Sequence, residues 1–228
     1  MKIHNVPQGS DQWLSLRAGI PTASELDQLI TPKLEVRSGE MPRTYLARKL
    51  AERWIGSPLQ SFGGGAMEQG SILEEEALPM LEAEWGADIS RPGFLTTDDG
   101  RFGASPDGLL ADGTGIEIKC PQPTNHVKWL LDGRVPPEHF LQCQGGLYVT
   151  GAACWRFISY CRGFPLLVVN CEPHAEAHKA IAEAIEDFTE RMDGAFATVV
   201  NLNGGGPKRQ KPKPRPEYDP DPFAMGAP

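Results

Sequence analysis

Nowhere does the sequence string together the ~18 apolar residues that a membrane-crossing helix requires. The opening MKIHNVPQGSDQW also lacks the apolar stretch of a secretion signal, so a cytoplasmic protein is expected. Cysteine is sparse. Cys120, Cys143, Cys154, Cys161 and Cys171 are odd in number and never spaced as CxxC, which argues against a disulfide framework, a four-cysteine metal cage or an iron–sulfur cluster. Reduced, mostly interior thiols are the remaining reading. Basic residues are few, 22 against 30 acidic ones, for a net charge of −8. That balance counts against a generally phosphate-binding surface, which needs clustered Lys and Arg, but it leaves room for a local basic channel.

What is present fits one domain. The 228 residues are 40% hydrophobic and 23% charged, an ordinary content for a globular core of this size. From Gly204 the composition changes to GGGPKRQKPKPRPEYDPDPFAMGAP, rich in Pro and Gly with little to bury. The expectation is therefore one folded domain over 1–203 and a disordered tail over 204–228. Five basic and three acidic side chains give that tail +2 and leave −10 on the folded part. The basic run could add weak affinity for DNA, or be a solvated extension.

Periodicity and punctuation order the elements. Ser10 or Asp11 can cap a first helix with Trp13, Leu14 and Leu16 on one side, and Thr22-Ala23-Ser24-Glu25 has the form of a capping box opening a second helix to Ile30. Pro42 starts a third, with Leu46, Leu50 and Trp54 one turn apart and Arg43, Arg48, Lys49 and Arg53 on other faces. A fourth runs from about Ala66, kinked or divided at Pro79. Asp99-Gly100 and Asp112-Gly113 are hairpin signals among short strands. Helices over 124–132 and 137–150, strands in ACWRFISYC and PLLVVNC, and a closing helix over 175–192 follow. The order predicts an α/β fold with a mixed central β-sheet flanked by helices.

The segment GIEIKC carries the chemistry. Strand residues alternate faces, so Ile116, Ile118 and Cys120 point one way and Glu117 and Lys119 the other. Asp107 lies ten residues before Glu117, across the Asp112-Gly113 turn, and strand pairing would set the two carboxylates side by side. Such a pair is costly unless a divalent cation sits between its members. Oxygen ligands favour Mg²⁺ or Mn²⁺. Lys119 could orient or deprotonate a water, or steady charge on a phosphate oxygen. The bland alternative is an exposed hairpin with a surface Glu–Lys pair.

The pattern SPDG…EIKCP has the PD(x)nExK form of metal-dependent nucleases. With WLSLRAGIPTASE, QGSILEEEA and FLQCQGGLYVTG it resembles the phage lambda exonuclease family, the YqaJ-like viral recombinases, over roughly 10–194. The resemblance implies a restriction-endonuclease-like core, two Mg²⁺ ions, and processive 5′ to 3′ digestion of double-stranded DNA. It further implies a ring-shaped homotrimer around the DNA. In a bacterial host, a phage or prophage recombination protein of this type would leave a 3′ single strand for a single-strand annealing protein.

Roles follow from the matched blocks. Asp107 matches the metal-bridging aspartate, Glu117 the second ligand, Ile118 a carbonyl ligand, and Lys119 the lysine that positions the attacking water. The GxxxE spacing falls on Gly70 and Glu74, which would assist the second metal, with Glu75 and Glu76 as rivals. Gln142 is expected near the active-site water, ahead of Gln144. Arg17, Ser24 and Ser105 would grip a 5′-phosphate, and the basic residues of the third helix would line the channel. A restriction- or repair-type endonuclease and a non-catalytic DNA-binding accessory protein stay open, as does a minor zinc site at Cys171, His174 and His178.

Overall fold

The computed structural model describes residues 1–59 and 65–207, with the backbone alone for 65–72. The Pro/Gly-rich tail expected from 204 therefore lies almost wholly outside the described residues. Two sheets organise the fold. The smaller is antiparallel and ordered β1 (Lys2–His4), β2 (Phe94–Thr96), β3 (Gly103–Ala104), so the strands flanking Asp99-Gly100 do pair. The larger runs β4 (Gly108–Leu109), β5 (Gly115–Lys119), β6 (Trp155–Ser159), β7 (Leu167–Cys171). It is mixed: β5 and β6 are parallel, and the other two pairings are antiparallel. A parallel pair needs a long crossover. Here α4 (Pro123–Asp132) and α5 (Pro137–Thr150), numbered after the three helices described next, supply it.

The N-terminal helices are α1 (Asp11–Arg17), α2 (Glu40–Ile55) and α3 (Gly65–Trp85). Ser10 caps α1 as expected, its Oγ accepting the Trp13 N–H at 3.2 Å. Pro79 lies within α3 and does not divide it. The segment opened by Thr22 is a 3-10 helix, Ala23–Gln28, instead of an α-helix. Its capping box does not close, because Glu25 turns toward cations on α2 and the Thr22 hydroxyl follows it, donating to Glu25 at 3.0 Å.

On α2 the buried face is Pro42, Tyr45, Lys49 and Glu52, while Leu46 and Leu50 are only partly covered. This corrects the expected channel lining at Lys49, while Arg43 is exposed. Lys49 is interior and ion-paired, Arg48 pairs with Glu25 at 2.7 Å, and Arg53 pairs with Asp193 at 2.9 Å. The closing helix α6 (Ala175–Leu202) overruns its expected end at Met192. Its Ala177, Ala180, Ile181, Ala184, Phe188 and Met192 are buried, spaced as one helical stripe. All of these but Ala177 join Leu26, Ile30, Tyr45 and Phe102 in the largest core cluster among the described residues.

A second cluster lies behind the larger sheet, where Ile116 and Ile118 meet Ala77, Leu78 and Leu81 of α3. Trp155 fixes the opposite side. A Cβ at Gly115 would lie 2.2 Å from its ring and one at Gly146 2.4 Å, so the indole fits only because both neighbours are glycine. That packing clamps β5 between α3 and α5, and it is β5 that carries the reactive side chains.

Candidate active site

The β4–β5 hairpin brings the acids together. Asp107 N–H donates to Ile116 O at 3.0 Å, and the register Gly108 opposite Ile116 continues to Asp107 opposite Glu117. Asp107 Oδ2 accepts the Ile118 N–H at 2.6 Å, so the backbone of β5 aims the carboxylate. Ile118 contributes only its main chain, its side chain being fully buried in the core. Glu117 is buried, and its Oε1 accepts from Lys119 Nζ and from Gln142 Nε2, both at 2.5 Å.

One pocket of about 190 Å³ is lined by Asp107, Glu117, Lys119, Glu74 and Gln142 together with Arg17, Ser24 and Ser105. All eight side chains expected from four separate blocks thus converge. At one end Arg17 Nη1 donates to Ser105 Oγ at 2.8 Å, and the Ser24 hydroxyl lies 3.2 Å from that of Thr22. Arg17 stacks over the Trp13 ring at 4.4 Å.

The electrostatics are strained toward a cation. Burial, then Glu117, pushes the Asp107 carboxyl well above the usual carboxylate range, and burial raises Glu74 too. Burial pulls Lys119 down, but Glu117, Asp107 and Glu74 outweigh it and hold the ammonium above its ordinary range. One lysine is therefore the counter-ion for three carboxyl groups.

Residues 12–153 match the model of the YqaJ-like viral recombinase domain. The chain belongs to that family. Among solved structures, the alkaline exonuclease LHK-Exo from Laribacter hongkongensis is 25% identical, with a TM-score of 0.70 over 85% of this chain and 100% of that one. LHK-Exo in complex with dAMP is 26% identical, with a TM-score of 0.76 over 86% and 98%. A phage-related exonuclease from Haemophilus somnus shares the fold at 12% identity, TM-score 0.61, over 79% and 96%. No curated protein sequence is significantly similar to the chain.

Within this recombinase domain the rival residues separate cleanly. Glu75 is exposed, and Glu76 is held by Arg162 and the Tyr160 hydroxyl, leaving Glu74 alone of the three in the pocket. Gln144 is structural: it donates to Cys171 Sγ at 3.2 Å and Glu172 O at 2.9 Å and accepts from His174 N–H. His174 caps α6 through Nδ1, so its role there is accounted for without zinc. Two pocket residues escaped the sequence reading. Gln8, in a loop without periodicity, donates to Pro106 O at 2.8 Å and so holds the backbone next to Asp107. Trp13, taken for an apolar face, donates its indole N–H to Gly93 O at 2.8 Å and Ser105 Oγ at 3.1 Å.

The donor set of the recombinase domain fits a hard divalent ion, since Asp107, Glu117 and Glu74 offer oxygens from buried or half-buried positions at a cost that a cation would relieve. Among the described residues, however, no three acidic, histidine or cysteine side chains already stand at ligating distance from one point. Lys119 and Gln142 hold Glu117 instead, and Asp107 leans on Ile118 N–H. An ion bound at Glu117 Oε1 would compete with Lys119 for that oxygen.

A groove of about 840 Å³ continues from the pocket past Lys119 and Gln142 to Arg37, Arg134 and His139. His139 stacks on Phe157 at 5.4 Å, and burial, then Lys119, lowers its pKa to about 4. An unfolded histidine titrates near ~6.5, so the unfolded chain takes up the proton first and stability drains away as pH falls from there toward 4. Melting temperatures measured across this window are expected to fall more steeply for the wild type than for His139→Phe. A gap between the two proteins that stays constant with pH would contradict this.

Proposed function

We propose that the protein is a Mg²⁺-dependent 5′ to 3′ exonuclease acting on double-stranded DNA, with 5′-mononucleotides and a 3′ single strand as products. The observation that carries this reading is the meeting, in one pocket, of three carboxyl groups and a lysine with an arginine–serine end suited to a phosphate. The likeness to an alkaline exonuclease solved with dAMP supports a mononucleotide product.

Two Mg²⁺ ions, or Mn²⁺, held by Asp107, Glu117, Glu74 and the Ile118 carbonyl would lower the pKa of a bound water and neutralise charge on the leaving 3′-oxygen. The chain's own groups set the geometry. Arg17, with Ser24 and Ser105, receives the 5′-phosphate as a forked donor beside two hydroxyls, placing the next phosphodiester over Asp107. Lys119, charged in this arrangement, enters as a hydrogen-bond donor to a phosphate oxygen or to the water, not as a proton acceptor. Gln142, bonded to Glu117, helps orient the same water. The water oxygen bonds to phosphorus as the bond to the 3′-oxygen breaks, the water gives up a proton to solvent and the 3′-oxygen takes one from solvent. The attacked phosphate becomes the new 5′ end of the shortened strand, and the departing nucleotide keeps the 5′-phosphate held by Arg17. Groove arginines Arg37 and Arg134 supply positive charge next to the site despite the acidic whole.

End-labelled linear duplex, incubated with Mg²⁺ or with a chelator, tests the reading beside a covalently closed circle. The expected result is release of mononucleotides from 5′ ends only when Mg²⁺ is present, with the circle intact. Cutting of the circle would point to an endonuclease, and DNA binding without hydrolysis to an accessory protein.

A further inference from the structure

Two of the three segments that carry the proposed phosphate-gripping residues, those of Arg17 and Ser24, are tied to α2 by one buried ammonium. Glu25 directly follows Ser24, and its carboxylate accepts from Thr22 at 3.0 Å, Tyr45 at 3.1 Å, Arg48 at 2.7 Å and Lys49 at 2.9 Å. Burial pushes that carboxyl up, but Lys49 and Arg48 outweigh it and keep it below its ordinary range. On the other side, Glu52 pairs with Lys49 at 3.1 Å and accepts the Gly19 N–H at 3.2 Å. Gly19 stands two residues after Arg17, at φ +75, and a Cβ there would lie 2.6 Å from Arg53 Cβ, so the turn that aims Arg17 is pressed against α2. The Lys49 and Glu52 side chains are 5% and 4% exposed, which leaves water little chance to substitute for the ion pair.

Of the groups here, Lys49 is the one paired with both Glu25 and Glu52. We infer that Lys49 is a positioning residue for end recognition: by bridging Glu25 and Glu52 it sets the spacing between Ser24 and Arg17, and through it the preference for a 5′-phosphorylated terminus. The inference rests on the reading of Arg17, Ser24 and Ser105 as the phosphate end of the site. Displacements of an ångström in such a grip cost up to ~100-fold. A grip whose two halves drift apart should lose selectivity before it loses hydrolysis.

The measurement is the ratio of initial rates on linear duplexes with 5′-phosphoryl and 5′-hydroxyl ends, using the full chain. Lys49→Met is expected to reduce this ratio about tenfold, and Lys49→Arg, which can still bridge two carboxylates, to keep most of it. A merely structural role would lower both rates together and leave the ratio alone. Should Lys49→Met fail to fold, the paired change Lys49→Met with Glu52→Leu replaces the Lys49–Glu52 ion pair by apolar groups, likewise leaves Glu25 and the Gly19 turn unbridged, and should show the same reduction. A folded variant with the wild-type ratio overturns the inference alone. Equal wild-type rates on both ends overturn the phosphate site, and the inference with it.

Discussion

Asp107→Ala is expected to lower Mg²⁺-dependent hydrolysis of linear duplex DNA at least ~1,000-fold, because in the proposed reading Asp107 would hold the metal, whose charge neutralisation would supply several kcal/mol, and each 1.36 kcal/mol is about tenfold in rate. The loss should not be one of folding. In the metal-free protein burial and Glu117 already push the Asp107 carboxyl well up, so its removal relieves repulsion while giving up one hydrogen bond to Ile118 N–H. The variant should therefore melt close to the wild type without metal. What it should lose is the rise in melting temperature expected of the wild type with Mg²⁺, since an ion stabilises only the state it binds. Rates measured with melting curves, each with and without Mg²⁺, decide the matter. Near wild-type digestion by the variant would remove Asp107 from the chemistry.

Lys119→Met separates catalysis from metal binding. Losing a positioned donor to developing negative charge typically costs ~100-fold or more in rate. Yet Lys119 Nζ sits on Glu117 Oε1, the same oxygen group that an incoming ion would need. Without that competitor, the Mg²⁺ concentration giving the half-maximal melting shift should stay the same or decrease. A slow enzyme that binds Mg²⁺ at least as well as the wild type is the expected outcome. Concurrent loss of the Mg²⁺ shift would mean that Lys119 organises the ligands, and an unchanged rate would mean that it is a surface ion pair.

Errors in the sequence reading came where charge was taken as a sign of solvent. Lys49 and Glu52 are charged residues at positions that helical periodicity assigns to a polar face, yet they are buried because Glu25 and the Gly19 N–H complete their bonding. The sequence pattern ends the closing helix at Met192, ahead of Gly194, a residue that weakens helices. It continues to Leu202 because packing outweighs that cost: Asp193 pairs with Arg53 and Arg101, and Phe196 meets the Trp54 ring at 5.8 Å. The Thr22 capping box failed for a related reason, its glutamate being drawn to a distant helix.

Local order alone determined the alternation of GIEIKC, the turn at Asp112-Gly113 and hence the juxtaposition of Asp107 and Glu117, because strand periodicity and hairpin register act over about ten residues. It also determined that Gln142 and Glu74 sit on helices, but not which of the neighbouring glutamates and glutamines face the site. That choice belonged to tertiary structure: Arg162 and Tyr160 claim Glu76, and Cys171 and the α6 terminus claim Gln144. Partners more than twenty-five residues away decide which polar groups remain free to act, and no local periodicity encodes contacts at that range.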